Sequence, residues 1–138
     1  MKKILFVLCI STLLFSCGEG GGNSADAIDP NGPDVELNVI SFSLEDNKTE
    51  LEIINRLDED INNVRGRLMF MDNEGNQLTT ATGRELTSPF SHAKNPKIVG
   101  SMSKSTITLS NTIEAGTENI SITEIVVTTK SGVKINVD

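Results

Sequence analysis

The chain has 138 residues, enough for one domain, with 12 basic against 19 acidic side chains and a formal charge of −7. That balance argues against binding nucleic acid or an anionic membrane surface by charge attraction. One histidine and two cysteines leave too few ligands for a His/Cys zinc site, and the lack of Trp and Tyr weakens a case for stacking on sugars.

Met1-Lys2-Lys3 is a short positive start, and Ile4 to Phe15 is a nearly unbroken apolar run of twelve residues. As a helix that run spans roughly 18 Å, well short of a bilayer core of about 30 Å, so it reads as a secretory signal rather than a membrane span. Its end, Leu14-Phe15-Ser16-Cys17, resembles the lipobox of bacterial lipoproteins. The resemblance implies cleavage before Cys17 and lipidation of Cys17, by palmitate among other chains, as the new N-terminus. Cys9 would leave with the signal, so Cys17 would be left without a disulfide partner, which fits a thioether to lipid. Loss of Lys2 and Lys3 leaves ten basic against 19 acidic residues, a charge of −9. Gly18 directly after the cysteine implies, again by resemblance, transfer to the outer membrane of a Gram-negative cell envelope.

Gly18 to Asp34 (GEGGGNSADAIDPNGPD) has no hydrophobic period and reads as a disordered tether. Its glycines lack the flanking strand, helix and Lys-Ser/Thr of a phosphate loop. The expected organisation is a signal peptide over 1–16, a lipidated tether over 17–34 and a folded domain over 35–138.

In the domain, Val35, Leu37 and Val39 alternate with polar residues, and Phe42 and Leu44 continue on the other parity. The phase switch at Val39-Ile40 predicts a bulge or a strand that changes sheets. A turn at Asp46 to Lys48 leads to TELEIIN, with Leu51 and Ile53 on one face. Asp58 to Asn63 is expected as a polar connection, and Val64 to Met71 as a strand with Val64, Leu68 and Phe70 inward. Asp72 to Asn76 has hairpin-loop composition, and Gln77 to Thr82 is expected to return as a Thr-rich strand. Gly83 to Gly100, with Pro89 and Pro96, is expected to be a long loop. Ser105 to Ser110, Asn119 to Thr129 and Val133 to Val137 complete the strands, with turns at Glu114-Ala115-Gly116 and Lys130-Ser131-Gly132.

About seven short strands, rich in Ile, Val and Thr and without a helical period, predict an all-β fold, an antiparallel β-sandwich. The stretch from Val39 to Leu78 resembles the FxLYD-type immunoglobulin-like domains of exported bacterial proteins. The likeness rests on Asn55 ending a strand, the Ile61-to-Val64 link, and Phe70-x-Asp72 before Gly75, with Met69 and Met71 where the motif has Leu and Tyr. It implies an immunoglobulin-like fold and an envelope setting, with no catalytic residues.

Catalytic constellations are thin. His92 stands alone in SPFSHAKNP, with no nucleophile elbow near any serine. Asp58, Asp60, Asp72 and Glu74 are the calcium candidates by ligand hardness, although the second group lacks EF-hand spacing. Phe90 either serves as an exposed anchor for a protein contact or plugs the open end of the sandwich. The expectation is therefore a non-enzymatic, cofactor-free envelope lipoprotein that binds a protein partner. The alternative is a module binding calcium or a small ligand at the loop end.

Overall fold

A computed structural model describes residues 28–137. The signal-like run, Cys17 and most of the expected tether lie outside the described residues. Seven strands follow in order: β1 (Val35–Ser43), β2 (Lys48–Asn55), β3 (Ile61–Met71), β4 (Thr87–Ala93), β5 (Ser103–Ser110), β6 (Asn119–Thr129) and β7 (Lys134–Val137). Every pairing is antiparallel, in one sheet ordered β1-β2-β5 and a second ordered β4-β3-β6-β7. Hairpins stay within a sheet at β1–β2, β3–β4 and β6–β7; the other three connections cross between sheets.

The two inner faces supply the core. Leu51 and Ile53 of β2 are fully buried with Val64, Leu68 and Phe70 of β3 and Val127 of β6, and Ile107 and Leu109 of β5 are buried beside them. Alternation along each strand places these residues on one side. Each such side chain contributes about 1.5–3 kcal/mol by leaving water. The expected all-β sandwich of seven strands is therefore present.

Three register shifts reset the alternation. In β3 the pairing with β6 shifts between Ile61 and Asn63, so Ile61 and Val64, three residues apart, are both buried. In β1 the register shifts between Val39 and Ser41, so Ile40 is extruded and 52% exposed. In β6 the shift faces Arg65–Arg67 and centres on Glu124, whose φ is +52°. Ile120 and Ile122 point inward before it, and Ile125 and Val127 after it, so the extra residue keeps an apolar side chain over the core on both halves.

Several expectations are corrected. Ile61 is no part of a polar link: it begins β3 and is fully buried, exchanging backbone bonds with Val99 and Ile98. Gln77 to Thr82 forms only isolated bridges, Met71 to Gln77 and Thr79 to Glu85. The strand beside β3 is instead β4, inside the expected long loop. Pro89 is tolerated there because β4 is an edge strand. The expected tether is shorter at its far end. Arg56 donates through Nε to the Asp29 carbonyl (2.7 Å) and through Nη1 to the Pro33 carbonyl (2.8 Å), and it pairs with Glu36 (3.2 Å). This fixes residues 29–36 against the end of β2. A Cβ at Gly32 would collide with the guanidinium, so glycine is what lets the chain pass so close.

Candidate functional site

The acidic candidates do not converge. Asp58, Glu59 and Asp60 precede β3, and Asp72 and Glu74 follow it, on the order of 30 Å away along the strand. Each group is engaged locally. Asp60 accepts the Ser101 N–H (3.0 Å) and stands 3.8 Å from Lys97 Nζ. Glu59 accepts the Ser131 N–H (2.6 Å) and hydroxyl (3.0 Å), and the hydroxyl above all holds its carboxyl below the usual carboxylate range. Asp72 Oδ1 accepts the N–H groups of Glu74 and Asn76, both at 2.9 Å. The Asn76 amide is the main reason its carboxyl is also held low. Asp72 thus ties its own turn together, and Asn76 Nδ2 reaches Glu74 at 3.3 Å. Among the described residues no three His, Cys, Asp or Glu side chains group as a metal site.

Phe90 is neither on a loop nor exposed. It lies on β4, paired with Gly66 of β3, at 9% exposure within the core cluster. Gly66 leaves room for its ring, which removes Phe90 as an exposed anchor. His92 sits two residues further along β4, opposite Val64.

The feature that does form a surface site lies at the seam of the two sheets. Leu37 to Phe42 of β1 and Asn119 to Ile122 of β6 line an open groove of about 580 Å³. Consecutive residues of both parities line it, so what it presents is the edges of two strands rather than a face. β1 pairs only with β2, and β7 covers β6 only over Ile125 to Thr128. Over Asn119 to Thr123, β6 therefore has β3 on one side and no strand on the other among the described residues.

Backbone direction follows from the ladder. Leu78 donates to the Phe70 carbonyl at 2.8 Å, so Phe70 turns its backbone away from β6. Its register partner Ile120 then turns away from β3, and its N–H is taken by Asn119 Oδ1 at 2.8 Å. Ile122, two residues on, faces the same way. Leu37, Val39, Phe42 and Ile122 are half-buried against the core and give the groove an apolar floor. A second, smaller concavity continues past Ile122 along Thr123 to Val126 to the end of β7 at Val137.

Two of the acidic side chains around the groove are ion-paired, Glu36 with Arg56 and Glu124 with Arg67, each at 3.2 Å. The stretches Val35 to Asp46 and Glu114 to Val126 contain acidic residues and no Lys or Arg. The Asn38 side chain, and after it Arg56, hold the Glu36 carboxyl below the usual carboxylate range. Comparison with protein-family models, with curated proteins and with solved structures returned no significant match.

Proposed function

We propose that the chain is a lipid-anchored bacterial envelope protein whose β-sandwich is a non-catalytic module for binding another protein. The observation that carries the interaction role is the open groove between β1 and β6, where two strand edges stand without a hydrogen-bonded strand neighbour among the described residues. The lipobox-like Leu14 to Cys17 supports the anchor and the outer-membrane assignment. The Arg56 clamp supports a defined orientation: it fixes the incoming chain at the Asn55 end, while Asn119 to Ile122 lie beside Met71 to Leu68 at the other. A tether attached at that end leaves the groove on the half of the domain away from the membrane.

Strand order supports an immunoglobulin-like reading. In constant-type domains the first, second, fourth and fifth strands share one sheet, and the third, sixth and seventh share the other. Here the order agrees except that β4 joins the second sheet.

Two measurements test the proposal. Labelling with radioactive palmitate is expected in the natural chain and absent in Cys17→Ala; equal labelling refutes the anchor. A photo-crosslinking residue in place of Ile40, at the groove rim, is expected to give a discrete adduct in intact envelopes. A crosslinker at Met102, 53% exposed before β5, is expected to give none. Adducts from Met102 alone would move the interface elsewhere.

A further inference from the structure

We infer, resting on the interaction reading above, that the groove takes its partner as a strand: an extended, net-basic segment, apolar at alternate positions, pairs with the outer edge of Asn119 to Thr123. The added strand extends the second sheet beyond the stretch of β6 that β7 covers among the described residues.

Three observations select this mode. The first is the choice of edge. β1 carries the Ile40 bulge, which breaks the regular spacing of its ladder and twists its edge, a device that blunts pairing. β6 keeps an unbroken register with β3 from Asn119 to Thr123. Its free side is therefore the regular template, four to five residues long, on the order of 15 Å. The second is the backbone. Ile120 and Ile122 turn their N–H and C=O groups into the groove, and the Ile120 N–H is occupied only by the side chain of its neighbour Asn119. Asn119 Oδ1 stands where a docking strand would place a carbonyl oxygen. In strand addition, main-chain bonds give affinity and pockets for alternate side chains give specificity. The half-buried Leu37, Val39 and Phe42 supply the wall for those alternate side chains.

The third is charge. The groove strands and their flanks carry Glu36, Glu45, Asp46, Glu114, Glu118 and Glu124; Arg56 pairs with Glu36 and Arg67 with Glu124, so the excess negative charge rests on Glu45, Asp46, Glu114 and Glu118. A segment bearing Lys or Arg at its outward positions is drawn in. A second copy of this chain, pairing edge to edge, would bring Glu118 and Glu124 against their own kind, which disfavours it.

The test uses a nine-residue peptide of alternating Val and Lys as the probe against the folded chain, followed by fluorescence anisotropy and amide hydrogen exchange. Binding is expected, with the Ile122 amide newly protected from exchange. A Val/Glu peptide of equal length, or the Val/Lys peptide with alternate amides N-methylated to block the ladder, is expected to bind at least about tenfold more weakly. Glu118→Lys, a change at an exposed position, is expected to weaken the Val/Lys peptide several-fold while leaving the melting temperature unchanged. Equal binding of the N-methylated peptide, protection along β1 or β5 instead of Ile122, or protection of Ile122 by self-association without peptide would each overturn the inference. If crosslinks from Ile40 capture a partner but no peptide protects Ile122, the interaction role stands and strand addition falls.

Discussion

The ring of Phe90 stands over Gly66, its register partner across the β3–β4 ladder, with Cε1 and Cζ each 3.0 Å from where a Cβ would sit. Gly66 also faces the β6 bulge, with the Thr123 carbonyl 3.2 Å from the same point. A small residue at the middle of β3 thus lets an edge strand close one side of the core with a single aromatic side chain. Gly66→Ala is expected to destabilise the domain by about 1–3 kcal/mol through overpacking. Phe90→Ala is expected to cost about 3 kcal/mol by opening a cavity. The two effects are not additive: in the Phe90→Ala background the added methyl has space, and its penalty shrinks. Urea denaturation of the two single variants and the double variant measures the coupling, and strict additivity would contradict the contact.

Asn55 is fully buried at the end of β2 and closes the loop end of the sandwich. Its Nδ2 donates to the carbonyls of Glu59 (2.8 Å) and Gly100 (2.9 Å), and its Oδ1 accepts the Leu57 N–H (3.1 Å). One side chain thereby joins the β2–β3 and β4–β5 connections. Asn55→Ala leaves the Glu59 carbonyl and the Leu57 N–H without this partner, while the Gly100 carbonyl keeps the Ser103 hydroxyl (2.7 Å), and is expected to cost about 2–3 kcal/mol. Asn55→Asp is expected to be worse at pH 7, because a carboxylate faces two carbonyl oxygens where a donor stood. It should recover partly in acid, where a protonated carboxyl donates again. Thermal melts at pH 7 and pH 4 check the reversal.

How much of this was legible depends on what each feature rests on. Strands β2, β3 and β6 were readable because a two-residue period of apolar residues runs along β2, along β3 from Val64 to Phe70, and along β6 on either side of Glu124, and the β1 bulge showed as a phase switch at Val39-Ile40. β4 was not: its one core side chain is Phe90, set among Pro89, serines and His92, a composition that an edge strand permits but that reads as a loop. Ile61 was hidden because a single apolar residue in DEDINN has no period around it. The Arg56 clamp depends on backbone carbonyls of Asp29 and Pro33, which leave no mark in side-chain pattern. The groove was invisible for a deeper reason. It exists because, among the described residues, β7 reaches only to Ile125 and β1 lies at the edge of the other sheet, and sequence alone does not order strands within sheets.

Thr49 carries a polar atom into the core. It is fully buried between Phe42 and Leu109, its register partners on β1 and β5, and its Oγ1 has no hydrogen-bond partner among the described residues. A buried hydroxyl without a partner costs about 1–3 kcal/mol. Valine has the same shape without the oxygen and equal preference for a strand. Thr49→Val is therefore expected to stabilise the domain by about 1 kcal/mol, raising the urea midpoint with an unchanged slope. A lower midpoint would mean that the hydroxyl is bonded in solution.

Acid should loosen both ends of the sandwich through identifiable carboxylates. Glu59 is held low by Ser131 at one end, and Asp72 by the amides of its own turn at the other. Both groups have folded-state values below their unfolded ones, so over the intervening range the unfolded chain binds more protons and stability rises with pH. Their contribution is fully present above the ordinary carboxylate range, about pH 4–5, and is lost as the pH falls through the depressed values. Glu59→Gln and Asp72→Asn keep an acceptor oxygen for the same donors but remove the charge. Each is expected to lower the urea midpoint slightly at pH 7 and to narrow the gap between pH 7 and pH 3. The double variant should narrow it further, since the sites lie at opposite ends of β3 and act independently. An unchanged gap in the double variant would assign the acid sensitivity to other groups, Glu36 beside Asn38 and Arg56 first among them.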